Sequence, residues 1–248
     1  MSDIRNNILN KYYEYRSNSA DPQNEKNSIR HYENVVKHNY IPYIQESHKK
    51  VLEIGCYTGY TLLALKKLMN FQTIEGLEIS DSAANIARDK TKISEIYTED
   101  AFKFLPEHKN EYDVIIMKAV LEHIRKEETG LLLQSIYDSL KPGGVTLISV
   151  PNMDWISATH ERYMDFTHET GYTAESLQDI MCMYFDKMLV RTLKYDFIYG
   201  IGSFIRIAIF QPVIKCFIKR IYKILGQGAY RKNMFDRSIL GVGWKSEK

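Results

Sequence analysis

Three carboxylates follow short apolar runs in the middle of this chain. Glu53 lies in Val51-Leu-Glu-Ile-Gly-Cys-Tyr-Thr-Gly-Tyr60, Glu78 in Gly76-Leu-Glu-Ile-Ser80, and Asp100 ends Tyr97-Thr-Glu-Asp100. Gly55 and Gly59 let the backbone turn sharply and approach a ligand closely. A dinucleotide site needs G-x-G-x-x-G to seat a pyrophosphate at a helix N-terminus, and Tyr57 and Tyr60 break that pattern. No G-K-S/T follows either, which excludes a phosphate-gripping loop. Glu53 at the same cleft repels a pyrophosphate and suits a cation. A carboxylate about 20 residues beyond such glycines, where Glu78 stands, is placed to hold a ribose diol. The ligand implied is a nucleoside with a cationic tail and no phosphate.

Positioning these groups requires a sheet edge. Val51–Ile54, Thr73–Ile79, Ile96–Glu99, Asp113–Met117, Val145–Val150, Lys187–Leu193 and Ile239–Trp244 read as strands. Helical patterns separate the first five at Tyr60–Met69, Ser82–Lys90, Phe102–Leu105 and Glu127–Leu140, the last stopped by Lys141-Pro-Gly-Gly. Another helix is expected over Thr173–Tyr184, and one precedes the sheet at Asn24–Ile44. Apolar strands alternating with helices predict an α/β fold, a doubly wound, mostly parallel seven-stranded sheet with ligands beyond the strands' carboxyl ends. The chain divides into a cap or lid over 1–45, a core over 46–195 plus 237–248, and an insertion over 196–236.

The 248 residues are 44% hydrophobic and 26% charged, a globular mixture that excludes a disordered chain or a multi-span membrane protein. Three scattered cysteines fit no disulfide framework and suit a reducing cytoplasm. The polar start predicts no signal peptide. Residues 1–196 carry 23 Lys and Arg against 29 Asp and Glu, a net −6, whereas residues 197–248 carry 10 against 2, a net +8.

At these motifs the chain resembles the class I S-adenosylmethionine-dependent methyltransferases, over roughly 50–195 plus the last strand. The resemblance implies that the Gly55–Gly59 loop, with Cys56 and Tyr57, lies under the methionine part, and that Glu53 contacts its ammonium end. Glu78 would take the ribose hydroxyls, Ile79 would pack on adenine, and Asp100 and the Ala101 amide would meet the adenine edge. Lys118 and Ala119 would line the cofactor through their backbone. Cys56-Tyr57-Thr58 departs from the pattern, since many members carry a further glycine there.

Methyl transfer to a hydroxyl gains about 10²–10⁴-fold from a nearby base, and histidine suits the task. His123 follows the fourth strand; His168 ends Asp165-Phe-Thr-His168. Residues 162–177, RYMDFTHETGYTAESL, are similar to a DxTH…(F/Y)T…SL stretch of methyltransferases from polysaccharide and O-antigen clusters, where His and Asp face the acceptor pocket. His168 is expected as base or acceptor hydrogen-bond partner, with Asp165 orienting it and His123 as second candidate. Alternatively, Asp165 and Thr167 clasp the loop and His123 merely holds its turn. Tyr13, Arg16, Asn152, Arg162 and Tyr163 are candidate acceptor contacts, and Tyr12, Tyr13, Tyr15 and Arg16 a candidate lid. Asp154, His160, Asp165 and His168 offer metal ligands without a tight spacing, so no metal is assigned.

Residues 197–225 carry five cations and no acid, with Lys215, Lys219, Arg220 and Lys223 on one helical face and apolar residues on another. They read as a basic amphipathic helix: either peripheral contact through 203–225 with an anionic membrane's inner face, or a cover for the core or a partner. Nucleic acid is not expected, because the acidic body offers no basic track. The sequence therefore predicts a methyltransferase acting on a sugar hydroxyl in capsule, O-antigen or related glycan assembly, its acceptor a nucleotide sugar or lipid-linked sugar. An N-methyltransferase of amino sugars, a small-molecule methylase and a silent cofactor-binding partner are the alternatives.

Overall fold

The computed structural model describes residues 11, 12, 15, 25–226 and 236–247. Seven strands form one sheet: β1 (Lys50–Ile54), β2 (Thr73–Glu78), β3 (Ile96–Thr98), β4 (Tyr112–Lys118), β5 (Leu140–Pro151), β6 (Lys187–Thr192) and β7 (Ser238–Trp244). Their order is β3-β2-β1-β4-β5-β7-β6. The first five pair in parallel, and β7 runs antiparallel between β5 and β6. Val51, Leu52, Val114, Ile115, Ile116 and Leu147 are wholly buried, because apolar side chains on both faces meet helices. Among the described residues, apolar clusters gather around Leu52, Ile115 and Leu133, around Val51, Ile116 and Val242, and, smaller, around Leu62, Ala87 and Ile96.

The connections are α1 (Glu25–Val35), α2 (Tyr60–Leu68), α3 (Asp81–Thr91), α4 (Ala101–Glu107), α5 (Lys126–Ser139), α6 (Ala158–Tyr163), α7 (Ala174–Cys182) and α8 (Ile201–Ile224). A π turn, Val36–Tyr40, and a 3₁₀ turn, Ile41–Tyr43, extend α1 to the expected end. Thr173 caps α7 through a reciprocal bond with Ser176. One boundary differs. Lys141-Pro-Gly-Gly does not stop α5, which ends at Ser139 and passes straight into β5 at Leu140. The glycines make a bulge instead: pairing with β4 jumps from Leu140 to Val145, and Gly143 donates to the Lys245 carbonyl at 3.0 Å.

The strand order reverses beside β1, where β2 leaves on one side and β4 on the other, so a crevice opens at their carboxyl ends. There Glu78 and Lys118 end their strands, and Glu53 stands one residue before the end of β1.

Candidate active site

A cavity of about 500 Å³ occupies this crevice, well within the range of ligand pockets. Glu53, Gly55, Cys56, Tyr57, Glu78, Ile79, Asp100, Ala101, Lys118 and Ala119 all line it, and so do His123, Asp165 and His168. One chamber thus unites the cofactor and catalytic candidates.

Glu78 ends β2 with one carboxylate oxygen accepting from the Tyr57 amide at 2.8 Å and the other from the Ser80 amide at 3.0 Å. Burial still holds its carboxyl above the usual range. These bonds pin the glycine loop to β2, and each oxygen keeps a lone pair for a diol. Glu53 is held at the first turn of α2 by Thr61 and the Leu62 amide, and burial pushes its carboxyl up to about 8. Its Oε2 is buried without a hydrogen-bond partner among the described residues. An orphaned carboxylate oxygen facing a chamber calls for a cationic donor, and the ammonium end of S-adenosylmethionine is one. Asp100 caps α4 by accepting from the Phe102 amide at 2.9 Å while still facing the cavity.

Tyr57 and Ala119 adopt φ of 48° and 53°, left-handed backbone that non-glycine residues seldom take. Both line the chamber, where such strain is characteristically retained. Gly55 makes the sharp turn at the cavity wall as the sequence suggested, whereas Gly59 acts otherwise. A Cβ on Gly55, φ 69°, would run into Val120, and one on Gly59, φ 80°, would lie 2.8 Å from Thr91 Cγ2 and 3.1 Å from Ala87 Cβ. Gly59 does not line the cavity; it lets α2 approach α3. Lys118 brings more than backbone. Its Nζ lies 3.4 Å from Tyr32 Oη, with the Tyr32 and Tyr195 rings 5.0 and 6.0 Å away. Tyr32 and Tyr195, contributed by α1 and the segment after β6, also line the cavity, and no spacing in the sequence announced them.

At the acceptor end, Asp165 Oδ1 accepts from Thr167 Oγ1 at 2.6 Å and from the Thr167 amide at 2.9 Å. Burial opposes the Asp165 charge, but these bonds and one from Tyr12 outweigh it and hold the carboxyl below its ordinary value. Thr167 Oγ1 also lies 2.9 Å from His123 Nδ1. Since the hydroxyl proton goes to the carboxylate, His123 Nδ1 must carry the other proton, which leaves the lone pair on Nε2. Asp165 thus clasps the loop as the alternative reading had it, and the side-chain link it completes through Thr167 orients His123 rather than His168. The His168 ring stands 4.8 Å from that of His123, centroid to centroid. Glu122, which the sequence reading passed over, is buried beside them, its carboxyl pushed up to about 8 by burial and its Oε2 without a hydrogen-bond partner among the described residues.

The acceptor contacts are largely corrected. Asn152 is wholly buried outside the cavity, donating to the Asp236 carbonyl and accepting from the Asp154 amide, each near 3 Å. Arg162 also lies outside it, spent on the carbonyls of His168 and Glu169. Tyr163 is 74% exposed, because it ends α6 with its side chain on the solvent side. Tyr13 and Arg16 lie outside the described residues. Among the described residues, Asp154 and His160 join no metal-ligand group; that formed by His168 takes Glu122 and His123 instead. Arg237 and Glu161, ion-paired at 2.8 Å, complete the wall near β7.

This geometry has relatives. The methyltransferase domain family matches residues 27–206. Carboxy-S-adenosyl-L-methionine synthase of Desulfotalea psychrophila is 30% identical over 142 residues, 52% of this chain and 56% of that enzyme. The chain spans a little over half the length of such curated relatives. A SAM-dependent methyltransferase from Archaeoglobus fulgidus superposes with a TM-score of 0.62 at 20% identity, over 85% of this chain and 91% of that one. Haemonchus contortus phosphoethanolamine N-methyltransferase 2, solved with S-adenosyl-L-methionine, gives 0.54 at 19% identity, over 91% and 58%. Both structures speak for the fold. With the family match across most of its length, this chain belongs to the methyltransferase-domain family, whose cofactor is S-adenosylmethionine.

Proposed function

We propose that this chain transfers a methyl group from S-adenosylmethionine to a sugar hydroxyl during surface-glycan assembly. The cofactor supplies an electrophilic sulfonium methyl; the protein's task is alignment and exclusion of water. Glu53 holds the ammonium end, Glu78 the ribose diol, and Asp100 with the Ala101 amide the adenine. The observation that carries the hydroxyl reading is the Asp165–Thr167–His123 chain, opening beside His168 onto the chamber that Glu53 and Glu78 share. An amine acceptor, once unprotonated, needs no such device. His123 and His168 receive the hydroxyl, with Asp165 fixing the His123 tautomer. The sugar class rests on the likeness of residues 162–177 to glycan-cluster methyltransferases.

The test is incubation of purified protein with S-adenosylmethionine and a panel of nucleotide sugars and lipid-linked sugars, with mass-spectrometric detection. A methylated sugar supports the reading; transfer only to quinones, lipids without sugar, or RNA rejects it. A second reading comes from the synthase relatives: a chain of this type could modify the cofactor itself. Lys118 and Arg237, both lining the cavity, would neutralise a carboxylate donor. A carboxylated adenosyl product in the same incubations would favour it.

A further inference from the structure

We propose that Glu122, His123 and His168 bind one divalent transition-metal ion, which takes the acceptor hydroxyl as a further ligand. Their ligand atoms all lie within 4.8 Å of one another. Metal bonds of about 2.0–2.2 Å to imidazole and carboxylate place ligands about 3–4 Å apart, so a small rotation of half-buried His168 closes the site. Glu122 comes from a short 3₁₀ turn directly after β4, and its backbone is clamped: the Glu122 carbonyl accepts from the Glu169 and Thr170 amides at 2.8 and 3.0 Å. Its side chain lines the chamber, 3% exposed, with Oε2 hydrogen-bonded to none of the described residues. Ionising that oxygen without a donor is costly in a buried site, and a cation between it and two imidazoles removes that cost.

The surroundings have the form of an outer ligand shell. A metal-bound histidine typically gives its other ring N–H to an oxygen that is itself anchored. His123 does so through Nδ1 to Thr167, which is anchored on Asp165, and Arg162 fixes His168 by its carbonyl. Two imidazoles and one carboxylate favour zinc, iron, cobalt or manganese over magnesium or calcium. The ion's role rests on the hydroxyl-transfer reading; its binding does not. Bound to the cation, the hydroxyl acidifies and releases its proton to water. The oxygen lone pair forms the O–CH₃ bond, and the C–S electrons remain on sulfur, leaving a neutral thioether.

The test uses the chain freed of metal by chelator and titrated with Co²⁺, whose visible ligand-field spectrum reports nitrogen and oxygen ligation. One Co²⁺ per chain is expected, its affinity falling at least tenfold in Glu122→Gln and in His168→Ala. Calorimetry with S-adenosylhomocysteine serves as the folding control and should be unchanged. No stoichiometric Co²⁺ binding by a chain that still binds S-adenosylhomocysteine overturns the site, and so does binding indifferent to both substitutions. Metal binding without sugar methylation would instead remove the hydroxyl reading and leave the site standing.

A different observation carries a second inference: α8 lies in an anionic bilayer surface. Its 24 residues are apolar enough to span a membrane by composition, and only 6% of its apolar window is buried. It has three stripes. Gln211, Lys215, Ile218 and Tyr222 face the body, through Asp196, Asp236 and the Asp154 carbonyl. Phe210, Val213, Phe217, Ile221 and Ile224 form an exposed apolar stripe, and exposed Lys219, Arg220 and Lys223 run beside it. A helix covering its own core would bury the apolar stripe; here a largely polar one docks. Cations flanking an apolar face match acidic headgroups over acyl chains, and Lys215 near the helix midpoint, paired with Asp236 of the body, opposes a spanning placement.

The full chain should sediment with vesicles containing phosphatidylglycerol, not with pure phosphatidylcholine, and come off in high salt. Lys219→Glu with Lys223→Glu, or Phe217→Glu with Ile221→Glu, should each weaken the association at least tenfold and spare S-adenosylhomocysteine binding. Failure to bind acidic vesicles, retention through salt and alkaline extraction, or a dimer that Phe217→Glu dissociates would each overturn the inference.

Discussion

The two ends of the chamber are built by different means. At the cofactor end, carboxylates at strand termini are held by amides close along the chain or across one strand pairing: Glu78 by Ser80 and Tyr57, Asp100 by Phe102. At the acceptor end the ties are side chain to side chain, or to carbonyls across a long loop. His123 meets Thr167 across 44 positions, and Arg162 gathers the 168–169 carbonyls. The first end follows from the sheet itself; the second exists only once residues 152–173 are laid over it. A lesion at the first end should therefore act on cofactor affinity, and one at the second on turnover.

The largest effect is expected at Glu78. Glu78→Ala leaves the buried Ser80 amide and the part-buried Tyr57 amide unpaired and removes the diol acceptor, so affinity for S-adenosylhomocysteine should fall at least 100-fold by calorimetry. A loss under threefold would break the contrast. Glu53→Gln should follow, with a loss of about 10–100-fold. Because the Glu53 carboxyl sits near 8 in the empty protein, ionising it to meet an ammonium releases a proton, and cofactor affinity should rise as pH increases through about 8. The linkage also fixes a sign for stability. A carboxyl raised on folding costs stability above its unfolded value, so the empty protein should weaken as pH climbs from the usual carboxylate range to about 8. Glu53→Gln should flatten that slope and raise Tm, by roughly 2–4 °C for each kcal/mol relieved. A pH-independent affinity would remove Glu53 from the cofactor's partners.

Thr167→Val tests the other end. It cuts the link between Asp165 and His123, and kcat should fall about 10-fold while cofactor affinity stays within twofold. An equal fall in affinity would show that the ends are not separable. Gly59→Ala sharpens the boundary further. The left-handed backbone and the close approach to α3 predict a loss of about 1–3 kcal/mol in stability, read as a lower Tm with cofactor affinity per folded molecule unchanged.

The same contrast explains what could be read from the residues. Strand boundaries came within a few residues, most widely at the start of β5, because apolar runs buried on both faces leave a strong local pattern, and the carboxylates were readable because strand ends are. Lys141-Pro-Gly-Gly misled, since a glycine pair serves a bulge as well as a stop. At the acceptor end, Asn152, Arg162 and Tyr163 had the right chemistry in the right segment, yet two of them hold the loop and the third faces outward. Glu122 was overlooked for the opposite reason: adjacent to His123 and on a 3₁₀ turn, it carries no periodic signature. Tyr32 and Tyr195 reach the chamber from remote segments, which spacing does not encode.

The wall at Arg237 and Glu161 has a practical bearing on handling this protein. Arg237 follows Asp236, to which α8 is fastened by Lys215. Excising the greasy helix to ease purification would therefore unhitch a strut of the reaction chamber, and a well-behaved truncated preparation could score as inert for reasons unrelated to chemistry. Inactivity in such a shortened form should be credited to the surgery until the intact chain has been assayed in detergent or on vesicles.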